Sequence, residues 1–311
     1  MNISQFENIC RKDQKSLKKY VKSKLKSRYD KVVCRDGYIY AQGDFPVLLV
    51  AHLDTVHKSV PKVIVHNGGC ISSPQGIGGD DRCGVYAILQ IINKYKCSVL
   101  FTEDEEIGGI GADKFCIDKF SESLVGTFNY IIELDRKGRN DAVFYDCDNK
   151  EFTKFITSAF WKKNYGSFSD ISYVAPHLKA AAVNLSCGYF NAHTASEYVE
   201  IKSLDECISQ VIALLERTDD TKYEYVEAAR TYGCPMYGYY DPYDDPYACG
   251  DCGYYDSYLH TYEIGFMHDG VGSVDHVDAD SKYEALGMFF EAYPTTTYSE
   301  VMYVEKIHRY R

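Results

Sequence analysis

Nowhere in the 311 residues does an apolar run approach the roughly 18 needed to span a bilayer, so no membrane helix and no membrane partner are expected. Positive charge is in deficit. The 34 Lys and Arg face 45 Asp and Glu, a net charge of -11, which argues against nucleic acid as the main partner. The N-terminus, "MNISQFENICRKDQKSLKKYVKSKLKSRYD", lacks an apolar core ahead of a small-residue cleavage site, so no signal peptide is read there. Internal repeats are absent. Framework spacing is also missing from the 12 cysteines, of which Cys10, Cys34, Cys70, Cys83, Cys97, Cys116, Cys147, Cys187 and Cys207 are scattered, mostly in apolar surroundings. They read as reduced thiols of an intracellular, cytoplasmic protein, since a chain this long buries its own core without a disulfide scaffold.

What is present is ordinary for a folded protein: 45% hydrophobic and 25% charged residues. The length suits one large domain or two smaller ones. Ile3, Phe6, Ile9, Leu17, Tyr20, Val21 and Leu25 recur at helical spacing, so residues 3–27 read as an amphipathic helix. Its other face is basic: residues 1–30 hold nine Lys and Arg against three Asp and Glu, which suits a solvated face.

"KVVCRDGYIYAQG" predicts two short strands around an Asp36-Gly37 turn. "FPVLLVAH", "CSVLFT", "YIIELD" and "KAAAVNLS" read as strands, the first a continuous apolar run of the kind buried on both faces. "GVYAILQIINKY", "NKEFTKFITSAFWKK" and "SLDECISQVIALLERT" read as helices, the last opened by a capping box of Ser203 and Glu206. This alternation predicts an α/β fold, with a mixed, largely parallel sheet covered by helices on both faces. Binding sites in such sheets gather at the carboxyl ends of the strands.

Beyond about residue 218 the character changes. "YGCPMYGYYDPYDDPYACGDCGYYDSYLHTY" is rich in Tyr, Asp, Gly and Pro, and 17 of the 29 tyrosines lie in this last part. The expected division is a catalytic domain at 1–217 and a Tyr-rich, acidic, partly irregular extension at 218–311. The last forty residues recover enough apolar content to pack back on the main domain. Cys249 and Cys252, with Cys234, His260 and His268 nearby, suggest a structural zinc site, but one CxxC without a second pair is a weak signal. A tyrosine-rich interaction segment and a poorly ordered linker are the other readings.

Chemistry concentrates where polar residues follow apolar runs. "VLFTEDEEIGGIGA" ends an apolar run in Glu103, Asp104, Glu105 and Glu106. Four adjacent carboxylates repel, and burying them is costly unless a cation compensates. "LLVAHLDTV" places His52 and Asp54 after a strand, and "GIGGDDRCG" places Asp80 and Asp81 in a Gly-rich loop before a helix. "YIIELDRKG" ends a strand in Asp135, and "GYFNAHTASEYV" offers His193 before the last helix. Any one of these alone is ordinary: a core histidine, a helix cap, a solvated turn. Together they put two imidazoles and several carboxylates at one sheet edge, a donor set suited to Zn, Mn or Co. A pair of divalent ions about 3.5–4 Å apart needs roughly five such donors, one of them bridging, and a carboxylate base close by.

These five motifs, in their order along the chain, resemble those of the co-catalytic di-zinc exopeptidases. That superfamily includes the bacterial leucyl aminopeptidases, the tetrahedral aminopeptidases, peptidase T and the glutamate carboxypeptidases. The match covers about residues 30–217, some two thirds of the chain. The resemblance implies the zinc exopeptidase fold and two divalent ions, zinc first and cobalt or manganese as alternatives. By motif, His52 ligates one metal, oriented by Asp54, and Asp135 completes that metal's set. Asp80 bridges, being the first Asp of its pair, while Asp81 caps the helix or bonds the backbone. Glu106 and His193 ligate the other metal, and Glu105 is the general base. The implied reaction is amide hydrolysis by a hydroxide between the ions, releasing terminal residues from peptides.

Glu133 lies on the same strand face as Asp135 but farther from the strand's exit. His57, His66 and His177 read as bystanders, and Ser169-Asp170 resembles a family loop near the site, a candidate substrate contact. Many relatives insert a lid or dimerisation domain. Here His52 and Asp80 are 28 residues apart, and Asp135 and His193 are 58 apart, so neither gap holds one. A compact form, monomeric or weakly oligomeric, is expected. An aminopeptidase or di-/tripeptidase is the first reading. The alternative is a related metal-dependent amidohydrolase or deacylase, or a carboxypeptidase, acting on N-acyl amino acids. A binding protein with a vestigial site is disfavoured because no ligand is missing.

Overall fold

The computed structural model describes residues 1–158, 160–228, 260–268, 271–279, 285–286, 288–289, 292–293 and 301–307. The chain divides into two units, Met1–Arg230 and Thr231–Arg311. The first unit therefore runs on past residue 217. Residues 218–228 are held to it by main-chain bonds, with the Tyr223 amide donating to Asn129 and the Ala181 amide donating to Tyr223.

The unit opens with helices α1 (Ile3–Cys10) and α2 (Gln14–Lys26) and strands β1 (Val32–Arg35), β2 (Tyr38–Ala41) and β3 (Phe45–His52). Strands β4 (Val65–Asn67) and β5 (Cys70–Ser72) precede α3 (Gly79–Ile91), β6 (Cys97–Thr102), α4 (Ile110–Ile117) and α5 (Lys119–Glu122). Then come β7 (Tyr130–Arg136), β8 (Asp141–Val143), α6 (Lys150–Thr157), β9 (Lys162–Asn164) and α7 (Ile171–Leu178). The series closes with β10 (Ala182–Ser186), β11 (Tyr189–Phe190), β12 (Tyr198–Glu200) and α8 (Ile201–Glu216).

Eight strands form one sheet in the order β1-β2-β6-β3-β7-β10-β8-β9. Its centre, β6, β3, β7 and β10, is parallel. β2 and β8 flank that centre antiparallel to it, β1 pairs antiparallel with β2 at one edge, and β9 runs parallel to β8 at the other. A smaller sheet has the order β11-β12-β5-β4. Among the described residues no helix is long and apolar enough to cross a membrane.

Strand alternation sorts the core into two layers. Val47, Leu49 and Ala51 of β3, with Val99 and Phe101 of β6 and Ile132 of β7, join a core with α1, α2, α3 and α8. Leu48, Val50, Leu100 and Ile131 face the other way, against Ala112 and Phe115 of α4 and Val174 and Leu178 of α7. By the same alternation His52, Thr102, Glu133 and Asp135 belong to the α4–α7 face. They stand at or near the carboxyl ends of three adjacent parallel strands.

Three local expectations change. The N-terminal periodicity spans two helices rather than one. The Asp13 side chain accepts the Ser16 amide at 2.6 Å and starts α2 afresh, so a cap interrupts a continuous apolar stripe. Helix α6 ends at Thr157, and Lys162–Asn164 leave it to pair beside β8. The capping box at Ser203 does not form. Strand β12 runs straight into α8, whose N-cap is Glu200, and the Ser203 hydroxyl donates to the Glu200 carboxylate. Glu206 pairs instead with Arg139 through two bonds of 2.8 and 3.1 Å.

The second unit contains an antiparallel sheet of β13 (His260–His268), β14 (Val271–Ala279) and β15 (Val301–Ile307), with β13 in the middle. Tyr262, Ile264, Phe266, Leu286 and Phe289 form its core. Cys234, Cys249 and Cys252 lie outside the described residues. His260 and His268 are the first and last residues of one strand.

Candidate metal centre

His52 is the last residue of β3 and fully buried. Its Nδ1 lies 3.1 Å from Asp54 Oδ1, which turns Nε2 toward Asp80 Oδ1 at 3.0 Å and Asp135 Oδ1 at 3.3 Å. On the opposite side, His193 Nε2 lies 3.0 Å from Asp80 Oδ2 and 3.2 Å from Glu106 Oε2. Asp80 thus gives one oxygen to each imidazole. Two three-residue sets, His52–Asp80–Asp135 and His193–Asp80–Glu106, meet at a shared carboxylate. Their settings differ, since His52 is fully buried and His193 has 54% of its side chain exposed.

Each donor arrives by a local rule. Asp80 and Asp81 sit at the start of α3 with non-helical backbone, following Gly78 at φ +67. Asp81 turns away and serves the main chain. It accepts the His52 amide at 3.2 Å and the Gly84 amide at 2.8 Å. Asp135 is fixed through its backbone, with its amide on Asn184 Oδ1 and its carbonyl taking the Tyr189 hydroxyl. Asp54 accepts the amides of Glu105 and Glu106 at 3.1 and 3.0 Å. The other two acids of that run point elsewhere. Glu103 takes the Gly37 amide and pairs with Lys18 of α2, and Asp104 takes the Gln14 side chain.

A second layer of acids sits beneath. The Ser169 hydroxyl donates to Glu133 and lies 3.4 Å from Asp135, and Thr102 donates to Asp170. Glu133, Ser169 and Asp170 are fully buried, so Ser169 and Asp170 are not open to a substrate as the sequence suggested. His57 meets no donor of the centre; it bonds Glu197 at 2.7 Å. His66 bonds Glu7, and His177 bonds Ser121.

Sequence reasoning missed Glu197. It is fully buried and accepts the amides of Gly78 and Asp80. The sequence marks it only as an acidic residue four positions after His193 in "NAHTASEYV", which does not tell what it holds.

The electrostatics are those of an anionic pocket short of cations. Burial pulls the His52 imidazole down, but Asp135, Asp54 and Asp80 carry it well above its ordinary value. Hydrogen bonds to Asp80 and Glu106 push His193 up to about 11. Burial works to raise Asp80, but the two histidines hold it far below the usual carboxylate range. Burial and the Asp80 charge push Asp135 up to about 7. Glu105 is raised well above its ordinary value, first by burial and then by Asp135, Asp170 and Asp80 against the pull of His52. Glu106 Oε1, Glu133 Oε1 and Asp170 Oδ1 are buried without a hydrogen-bond partner.

Ligand atoms of His52, Asp80 and Glu106 lie within 4.8 Å of one another, as do those of His52, Asp81 and Asp135. Mixed imidazole and carboxylate donors, an orphaned ligand oxygen and surplus negative charge fit divalent cations. A cavity of about 590 Å³ adjoins the centre. Its lining includes Asp54 and Glu106, Asp13 and Gln14 at the start of α2, and the apolar Val60 and Ile77.

No protein-family model matches the chain, and no curated protein matches it in sequence. Solved structures do match in fold. The aminopeptidase PepT of Bacillus cereus superposes with a TM-score of 0.56 at 14% identity, covering 69% of this chain and 97% of that one. A tripeptidase of Staphylococcus aureus gives 0.55 at 14% identity, with 69% and 96% covered. An aminopeptidase of the archaeon Desulfurococcus kamchatkensis gives 0.53 at 14% identity, with 70% and 94% covered. At these identities the likeness establishes the fold alone: the mixed, largely parallel sheet is shared with these aminopeptidases and the tripeptidase.

Proposed function

We propose that this chain, which carries the zinc exopeptidase fold, is a metal-dependent exopeptidase that removes terminal residues from short peptides, acting from the amino end. The observation that carries the reading is Asp80, shared at 3.0 Å between two histidines that each have a further carboxylate beside them. In this reading His52, Asp80 and Asp135 hold one divalent ion and His193, Asp80 and Glu106 the other, zinc being the first candidate. When bound, such ions polarise a peptide carbonyl and acidify water.

The chain's own residues supply the rest. Asp54 sets which imidazole nitrogen of His52 faces the centre. Glu105 takes the proton of the attacking water and delivers it to the leaving amine. Its amide is fixed on Asp54 in the same turn that fixes Glu106. The adjoining cavity, at about 590 Å³, is within the range of small-ligand sites and has room for a peptide end.

The nine cysteines among the described residues are free, which supports a cytoplasmic setting. A TET1 peptidase of Pyrococcus horikoshii can assemble into a tetrahedron or a large octahedral shell. This chain has no inserted domain between its candidate ligands, and we assign it a monomeric or weakly associating state.

The test is digestion of a peptide library by the full-length protein with added zinc, cobalt or manganese, read by mass. Metal-dependent shortening from the amino terminus is expected. Inertness with all three metals would overturn the reading. Activity confined to N-acyl amino acids or to carboxyl termini would replace it with the amidohydrolase or carboxypeptidase alternative.

A further inference from the structure

We infer that Glu197 is a positioning residue for Asp80, an inference that rests on the two-metal reading above. Both side-chain oxygens of Asp80 face histidines. Its carboxylate is therefore aimed by the main chain beneath it, and that main chain lacks the usual support. Gly78 is the N-cap of α3 and has no side chain to cap with, and Asp80 has φ -82 and ψ 100, outside the helix. Amides at a helix start have no partner within the helix.

Glu197 supplies one from another part of the chain. Its Oε1 accepts the Asp80 amide at 3.1 Å, and its Oε2 accepts the Gly78 amide at 2.9 Å. Nε2 of His57 lies 2.7 Å from the same Oε2. Gly76, at φ +83, is what lets the ring approach, because a Cβ there would fall 2.2 Å from His57 Nδ1. Glu197 is fully buried, and three donors surround it, the condition under which a buried carboxylate is tolerated.

The position of Glu197 in the chain adds a second link. It lies four residues after His193, on the segment between β11 and β12. One carboxylate thus joins the turn that carries Asp80 to the turn that carries His193. Asp54 does the matching task for His52 and the Glu105–Glu106 turn. Because Asp80 belongs to both candidate metal sets, loosening it must weaken both ions together. Loss of a residue that belongs to one set weakens one.

The experiment is zinc titration of the full-length protein against a chromophoric chelator, for wild type, Glu197→Gln, His193→Ala and the surface control Glu206→Gln. The Gln side chain keeps the shape of Glu197 but turns an NH2 group toward an amide donor. Both zinc equivalents are expected to weaken together by about tenfold or more in Glu197→Gln, the usual scale for a group that orients a ligand. In His193→Ala one equivalent is expected to weaken, and in Glu206→Gln neither. Wild-type affinities in Glu197→Gln, or loss of a single equivalent, would overturn the inference and leave the two-metal reading standing. Wild-type protein that takes up fewer than two zinc ions would remove both. If Glu197→Gln fails to fold, His57→Gln takes its place. A joint weakening of both equivalents supports the inference there, and unchanged affinities overturn it.

Discussion

The Asp54 carboxylate accepts the backbone amide of Glu106 at 3.0 Å. Its other oxygen takes the Glu105 amide and Nδ1 of His52, each at 3.1 Å. One side chain therefore registers the end of β3 against the turn after β6. Asp54→Asn keeps the size but turns an NH2 group toward at least one N–H donor. We expect kcat/KM to fall about 10- to 100-fold, with weaker binding of the zinc held by His52. Steady-state kinetics and zinc titration check this, and unchanged values in both would remove Asp54 from the site's support.

Glu105 is assigned to protons and Glu106 to metal. Glu105→Gln should therefore separate the two roles. Turnover is expected to drop by about 10² to 10⁴, the usual worth of general base catalysis, while two zinc ions stay bound. Elemental analysis beside an activity assay reads both. Loss of a zinc ion in Glu105→Gln would make Glu105 a ligand and contradict the assignment.

The acidic run, His52 and Asp135 were legible in the sequence because each ends or follows an apolar strand, and alternation then settles which face a side chain takes. That logic brings His52 and Asp135 to one face of the sheet at adjacent strand ends. His193 was legible only through its motif. Glu197 was not legible as a support, because what it holds is backbone. The Gly78 and Asp80 amides are 119 and 117 residues away, and an amide leaves no mark on side-chain identity. The break between α1 and α2 was hidden by a good apolar stripe, although the Asp13 cap was there to be seen. Ser203 matched a capping pattern, but the pairing of β12 had already set where α8 begins. Ser169 and Asp170 were read from a likeness as a candidate substrate contact, but both are fully buried. Their bonds to Glu133 and Thr102 join elements far apart in the chain.

Helix α3 packs directly on β7 at Gly84. A Cβ there would fall 1.9 Å from the Leu134 carbonyl oxygen and 2.5 Å from Asp81 Oδ2. Neither neighbour gives way easily, since one is backbone and the other bonds two amides. Gly84→Ala should destabilise the fold by at least about 1–3 kcal/mol, the scale of core overpacking. It should also weaken zinc binding, because Asp81 supports the start of α3. Urea unfolding with and without zinc measures both. A variant as stable as wild type would show that α3 can slide on the sheet.

Zinc binding and pH are linked in a direction the charges dictate. In the zinc-free chain His193 is raised from 6.5 to about 11 and Asp135 from 3.8 to about 7. Both groups bind protons more tightly when folded than when unfolded, so the folded state loses stability as pH rises. The Asp135 contribution falls away between about 4 and 7. That of His193 is full below 6.5 and fades toward about 11, and it is weakened by solvent because the side chain is half exposed. Zinc requires the neutral imidazole and the carboxylate, so it must displace these protons. Four results are expected. The Tm of chelated protein falls between about pH 6 and about pH 9, and His193→Gln flattens that fall. Zinc-loaded protein shows a smaller slope. Calorimetry in two buffers of different ionisation enthalpy shows net proton release near neutrality, because His193 starts protonated and Asp135 partly so. Zinc uptake without proton release would mean that these groups are not the ligands.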